Sequence, residues 1–196
     1  MQLVFATTNK NKLYEVSELI TSDIKIISLD DINCADELPE TSPTLEGNAL
    51  QKARFVFEKY KTNCFADDTG LEIEALGGKP GVLSARYAGE NKNADDNMNK
   101  VLAEMQNEEN RKAKFRTVIA LILNGKEHLF EGIVQGNILT EKKGEKGFGY
   151  DPIFAPLSLG RGVGGEVSFA QMSISKKNKI SHRAIAIKKL VEFLNR

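Results

Sequence analysis

Residues 63–78, "NCFADDTGLEIEALGG", place two adjacent carboxylates, Asp67 and Asp68, at the end of a short apolar run and directly before Thr69 and Gly70. Paired acids at such a position meet either solvent or a site. Successive side chains of an extended strand point to opposite faces, so the two carboxylates cannot share one site unless the strand has already ended. They need different jobs: one can face a metal or substrate while backbone N–H groups or a lysine hold the other. A solvated loop pair is the competing account.

Other stretches could do related chemistry. Thr7, Thr8, Asn9, Lys10, Asn11 and Lys12 ("TTNKNK") follow an apolar run and open a helical pattern. Free N–H groups, the helix dipole and the lysine charges favour an anion there, although ordinary capping uses the same residues. In "KKNKISHR" several cations gather with His182 and Arg183 at a helix start and could grip phosphates, or form a solvated basic segment. "GFGYDPIF" sets glycines beside Phe148 and Tyr150; an aromatic there can stack on a base, and can equally be packing. With His128 and His182 as the only imidazoles, a multi-histidine transition-metal centre is not expected, and His128 is expected to be structural. Plentiful acids suit Mg²⁺, which binds through one or two carboxylates and substrate phosphates. "GRGVGG" matches the dinucleotide fingerprint G-x-G-x-x-G, but no amphipathic helix follows it, so a loop is expected.

These residues need a scaffold. "QLVFA" reads as a first strand, followed by a helix with Leu13, Val16, Leu19 and Ile20 at helical spacing. "IKIIS" reads as a second strand, and "DDINCADELPETSP" as an exposed loop. Thr44 is placed to cap a helix with Leu45, Ala49, Ala53, Val56, Phe57 and Tyr60 on one face. "CFADD" and "LEIEA" read as separate strands, "GGKPG" as a turn, and "NADDNMNKVLAEMQ" as a helix burying Met98, Val101, Leu102 and Met105. "FRTVIALIL" and "HLFEGIVQGNIL", joined at Asn-Gly, form the clearest hairpin signal. The last segment is a helix with Ser181 as cap and Ile187, Leu190, Val191 and Leu194 buried.

A chain of 196 residues with 41% hydrophobic content can bury a substantial core, as one α/β domain over residues 1–196. Lys+Arg (27) balances Asp+Glu (27), so no global field draws the protein to nucleic acid or a membrane. Cys34 and Cys64 offer no disulfide framework and are expected as reduced thiols. The apolar part of "MQLVFATTNKNK" is too short for a signal peptide, and "VIALIL" falls far below membrane-spanning length. The expectation is a soluble, cytoplasmic protein.

Taken in order, "FATTNKNKLYEV", "ETSPTLEGNALQKA", "FADDTGLEIEALGGKPGVLSARYAGE", "GFGYDPIFAP" and "KISHRAIAIKKL" resemble the non-canonical purine nucleoside triphosphate pyrophosphatases, the inosine triphosphatase or Ham1 family, from the first strand to the last helix. The resemblance implies a two-lobed α/β fold with a long mixed central sheet flanked by helices, and a homodimer. It also implies Mg²⁺-dependent cleavage of ITP, dITP and XTP to monophosphate and pyrophosphate, which clears deaminated purines from the nucleotide pool. Carried over by motif, residues 7–12 and Lys52 would bind the triphosphate, while Glu40 and Asp68 would hold Mg²⁺. Asp68 would also accept the proton and Thr69 would touch the substrate. Phe148, Gly149, Tyr150 and Asp151 would form the base pocket with Lys177, His182 and Arg183. Thr8 and Gly47 depart from the family pattern, standing where a glycine and a second acid are common, and residues 157–173 look lengthened.

An ordinary Asp is a weak base at neutral pH, so a metal that acidifies the water is the expected aid. Cationic donors such as His182 or Arg183 suit the 6-oxo acceptor of hypoxanthine and xanthine and would be left unpaired by adenine's 6-amino donor. A Maf-like pyrophosphatase acting on other nucleotides and a nucleotide sensor without turnover are the alternatives; "FGYD" and "SHR" count against the first, and Glu40 with Asp67 and Asp68 against the second.

Overall fold

The computed structural model describes residues 1–20, 24–157 and 166–196. Its chain order is β1 (Gln2–Phe5), α1 (Lys10–Leu19), β2 (Lys25–Ile27), α2 (Leu45–Tyr60), β3 (Cys64–Ile73), β4 (Pro80–Gly81), α3 (Ala94–Glu104), β5 (Lys112–Leu123), β6 (Lys126–Ile138), β7 (Phe154–Pro156), α4 (Ile174–Ile180) and α5 (His182–Leu194). Hydrogen bonding orders the sheet β2-β1-β3-β5-β6-β7, and β4 pairs with β3. The sheet is mixed, because β1 runs parallel to β2 and β3 whereas β3–β4 and β6–β7 are antiparallel.

The chain divides into two compact units. The first comprises Met1–Asp68, Thr117–Gly132 and His182–Arg196, the second Thr69–Arg116 and Ile133–Ser181. In the first unit, strand alternation sorts the core onto two faces. Leu3, Phe5 and Phe65 pack with Val16 of α1 and with Ala186, Ile187 and Leu190 of α5. Val4, Ala6, Cys64 and Ala66 pack with Ala49, Ala53 and Val56 of α2. Phe5 and Phe65, partners in the β1–β3 register, stack with ring centroids 4.5 Å apart. Asn9 caps α1 by accepting from the N–H groups of Asn11 and Lys12, and Thr44 caps α2 by accepting from that of Gly47.

Asn124 and Gly125, between β5 and β6, have φ values of 51° and 77°, the left-handed pair a two-residue hairpin turn requires. Further along β6, Gly132 matters because a Cβ there would lie 2.0 Å from the His182 carbonyl oxygen. Only a bare backbone lets β6 approach the start of α5 so closely. His128 packs at a tilt against Phe193, with centroids 4.4 Å apart.

In the second unit Phe115 meets Phe154 at 4.6 Å between centroids, and Phe154 meets Phe169 at 5.4 Å. Helix α3 buries Met98 and Val101 and leaves Leu102 half-buried. Asn97 is buried as well, accepting from the Ala88 N–H at 2.6 Å and donating to the Ala85 carbonyl at 3.0 Å.

Several sequence expectations change. "GGKPG", read as a turn, contributes β4, and Val191 and Leu194 of α5 are half-buried rather than buried. "CFADD" and "LEIEA" belong to one ten-residue strand, β3, which runs through the acid pair instead of stopping there. Gly70 permits this: its absent Cβ would sit 2.7 Å from the Gly81 carbonyl oxygen. Lys177 lies in a separate short helix, α4, capped by the Ser173 side chain. The "GRGVGG" run lies outside the described residues. Among the described residues, no helix is long and apolar enough to cross a membrane.

Candidate functional site

Since β3 continues through Asp67 and Asp68, alternation sends them to opposite faces of the first unit's sheet. Asp67 shares the parity of Phe65 and meets α1 and α5. Its Oδ1 accepts from Lys12 Nζ at 2.9 Å and its Oδ2 from Arg183 Nε at 3.1 Å. Arg183 also donates through Nη1 to Glu15 Oε2. Two acids thus alternate with two bases in one ionic chain, Lys12 to Asp67 to Arg183 to Glu15, whose Asp67 and Arg183 side chains are 1% and 2% exposed. Burial opposes the Asp67 charge, but Lys12, Arg183 and Lys52 together hold its carboxyl well below the usual aspartate range.

Asp68 shares the parity of Ala66 and meets α2. Its Oδ2 accepts from the Asn48 amide at 3.1 Å, and its Oδ1 lies 3.8 Å from Lys52 Nζ. Asn48 and Lys52 stand one helical turn apart on the apolar face of α2, which brings both polar ends to one place. Lys52 Nζ also donates to Glu40 Oε1 at 2.5 Å. The Asp68 side chain is 14% exposed. Burial, with Glu40 adding to it, raises its carboxyl above the ordinary value despite Lys52, Lys12 and Asn48. Burial works against the Lys52 charge, yet Asp68, Glu40 and Asp67 hold that ammonium above the ordinary lysine range.

The residue set fits a hard divalent ion. Glu40 and Asp68 already converge on one positive charge, the Lys52 ammonium. Two carboxylates leave the remaining positions to water and phosphate oxygens, the pattern of Mg²⁺ sites. Among the described residues no group of three or more His, Cys, Asp or Glu gathers as a metal cluster.

In the loop before α1, the Asn9 N–H bonds Thr7 Oγ1 at 3.2 Å, while those of Asn11 and Lys12 bond Asn9 Oδ1 at 3.0 and 3.2 Å. The first turn is thereby capped from within, with Thr8 and Lys10 exposed beside it. Thr8 is not among the left-handed non-glycine positions, so no glycine is required there. At Gly47, a Cβ would lie 1.9 Å from Ser42 Oγ. Ser42 fills the space through which a second acid at 47 would project.

The second unit holds its own constellation. Asp151 Oδ2 accepts from the Phe148 N–H at 2.9 Å and from Lys177 Nζ at 2.5 Å, and both side chains of this ion pair are buried. Lys177 Nζ also sits 4.9 Å from the Phe148 ring centroid, a cation–π contact. Gly147 makes room for the carboxylate, since a Cβ there would lie 2.1 Å from Asp151 Oδ2. Gly149 supplies a φ of 63°, and the Tyr150 hydroxyl donates to the Ser84 carbonyl at 2.8 Å. Thr69 is half-buried in β3.

The Ham1 family signature matches residues 3–193. The chain belongs to the Ham1 family. It is 53% identical over 193 residues to the dITP/XTP pyrophosphatase of Flavobacterium psychrophilum, covering 98% of each chain. With the dITP/XTP pyrophosphatase of Flavobacterium johnsoniae it shares 52% identity over 194 residues, 99% of this chain and 98% of the other. Among solved structures, the Ham1 protein of Staphylococcus aureus matches with a TM-score of 0.87 at 37% identity, covering 100% of this chain and 98% of that one. A HAM1 protein from Coxiella burnetii gives a TM-score of 0.88 at 35% identity, over 100% and 98% of the two chains.

Of the residues the motifs singled out, Thr7, Thr8, Asn9, Lys10, Asn11, Lys12, Glu40, Lys52, Asp68, His182 and Arg183 lie in the first unit of this Ham1 chain. Thr69, Phe148, Gly149, Tyr150, Asp151 and Lys177 lie in the second. His182 and Arg183 are both buried, and Arg183 joins Asp67 and Glu15. Sequence reasoning did not single out Asn48 or Glu15. Asn48 carried a signal, four residues before Lys52 on an otherwise apolar stripe; Glu15 carried a weaker one, three residues after Lys12.

Proposed function

We propose that this protein hydrolyses non-canonical purine nucleoside triphosphates, ITP, dITP and XTP, to the monophosphate and pyrophosphate, acting as a Mg²⁺-dependent cytoplasmic homodimer. The observation that carries the reading is Asp68: a partly accessible carboxylate, fixed on one oxygen by Asn48 and facing Lys52 with the other. Family membership and the relatives' printed activities support the substrate class.

Cleavage at the α-phosphorus requires an in-line water, charge neutralisation and a proton acceptor. Asp68, its carboxylate fixed by Asn48 and partly accessible, takes the water's proton. Lys12, Lys52 and the loop of Thr7, Thr8, Asn9, Lys10 and Asn11 attract the triphosphate. Glu40 and Asp68 would hold Mg²⁺, which when bound acidifies water and offsets phosphate charge. Asp67 keeps Lys12 in place from the opposite face of β3. In the second unit, Phe148 offers a ring for stacking and Lys177 a buried donor for a 6-oxo group, with Asp151 orienting both. Thr69 contacts the substrate beside Asp68, Gly149 and Tyr150 shape the base pocket, and His182 and Arg183 contribute to base selection.

The test is a panel of ITP, dITP, XTP, GTP and ATP, assayed for pyrophosphate and orthophosphate with and without Mg²⁺. Pyrophosphate release that needs Mg²⁺ and favours ITP, dITP and XTP is expected. Equal kcat/KM for ITP and ATP, or orthophosphate as the first product, overturns the reading. Light scattering at micromolar concentration checks the dimer.

A further inference from the structure

Lys52 places its ammonium against both Glu40 and Asp68. Its ammonium lies 2.5 Å from Glu40 Oε1 and 3.8 Å from Asp68 Oδ1, and its side chain is only 6% exposed. Asp68 is divided between two residues of α2, with Oδ2 fixed by Asn48 and Oδ1 turned toward Lys52. Lys12, the other lysine near the acid pair, is committed to Asp67 at 2.9 Å. One ammonium is therefore shared by both proposed metal-binding carboxylates.

We infer that Lys52 is a built-in stand-in for the divalent ion: it holds Glu40 and Asp68 together before metal arrives, and must release Glu40 when they take up the ion. Two neighbouring cations so far out of water repel strongly, so the ammonium cannot keep its present place beside a divalent ion. Its flexible four-carbon stem lets the charge swing aside, where a phosphate oxygen of the nucleotide can receive it. Metal and nucleotide then help each other by the same factor, because the phosphate stabilises the displaced lysine and the displaced lysine vacates the metal position. The inference rests on the assignment of Glu40 and Asp68 to the metal in the proposed function.

The probe is Mn²⁺ as a paramagnetic substitute for Mg²⁺, titrated by electron paramagnetic resonance into nucleotide-free protein. Lys52→Met, close in length but neutral, is expected to bind Mn²⁺ at least ~10-fold more tightly than the unaltered chain. Lys52→Arg, which keeps the charge, should remain weak. Lys12→Met removes an equal charge that is not on Glu40 and should change affinity by less than ~3-fold. No tightening in Lys52→Met, or equal tightening in Lys12→Met, overturns the stand-in. Adding Glu40→Gln and Asp68→Asn to Lys52→Met separates the two ideas: if the tightened site survives, the metal assignment fails rather than the exchange. Should Lys52→Met not fold, ¹⁵N-lysine spectra of the unaltered protein decide. Mg²⁺ must move the Lys52 ammonium resonance and leave that of Lys12 nearly still; the reverse pattern overturns the inference.

Discussion

On the α1 and α5 side of β3 lies a carboxylate held by two cations; one residue later, on the α2 side, lies a partly exposed carboxylate that faces an amide and a lysine. Asp67 has two direct cationic partners and is driven below the ordinary range, whereas Asp68 has an amide and a lysine at 3.8 Å and is driven above it. Both are aspartates in the same strand. What differs is the helix each face meets: α1 and α5 bring Lys12 and Arg183 into contact, while α2 brings Lys52, already shared with Glu40. Burial pushes both carboxyls up; what separates them is how strongly neighbouring cations answer it.

The largest test of this contrast is Asp68→Asn. Removing a general base costs roughly 10²–10⁴-fold in turnover, so pyrophosphate release should fall by about 10³-fold. Stability should be unchanged or slightly higher, because the raised Asp68 carboxyl means its ionised form is disfavoured by the fold. Near-normal turnover under saturating Mg²⁺ would place the base elsewhere.

Asp67→Asn should do the reverse first. Breaking a buried ion pair from one side costs roughly 3–5 kcal/mol, read as a lower urea midpoint at unchanged slope. The pH signature follows from its sign. With the folded carboxyl lowered from the ordinary 3.8, the Asp67 contribution is full above that unfolded value and is lost as pH falls toward and through the folded one. Metal-free protein should therefore lose stability below about pH 4, more steeply than Asp67→Asn does. Equal acid slopes for the two would show that Asp67 is not the paired group.

Much of this contrast was legible beforehand. Alternation at Asp67 and Asp68 required unlike roles, periodicity located α1 and α2, and the Asn124-Gly125 turn signal located the hairpin. Which acid would face which helix was not legible, because that depends on the side of the sheet each crossover takes. Glu15 and Arg183 could not be read as a buried pair, since charged residues are ordinarily solvated and their partnership spans 168 positions. The continuity of β3 through Gly70 was hidden too, resting on a backbone approach to Gly81 that only the fold reveals. Helix α4, seven residues long, is too short for its periodicity to stand out.

A smaller effect is expected at Gly132, where α5 starts against β6. A methyl 2.0 Å from the His182 carbonyl must push the strand and helix apart. Overpacking of this kind costs roughly 1–3 kcal/mol. Gly132→Ala should therefore lower the urea midpoint and, by shifting the residue that follows His182, weaken the Arg183 hold on Asp67. A normal acid-unfolding slope in this variant would show that the ionic chain tolerates movement of α5.

The smallest expected effect concerns Cys64, on the same α2-facing side of β3 as Asp68. Burial pushes its thiol up to about 12, and Sγ donates to the Ala53 carbonyl at 3.1 Å. At pH 7–8 almost no thiolate exists there, so iodoacetamide should leave Cys64 unmodified in the native protein and label it rapidly in urea. The result bears directly on the two faces. If Cys64 reacts quickly without denaturant, the α2 side is opening locally, and the greater exposure of Asp68 reflects that motion rather than a preformed site. If Cys64 stays protected while Asp68→Asn abolishes turnover, the open carboxylate sits on a rigid wall, as a proton acceptor that must meet a water in line requires.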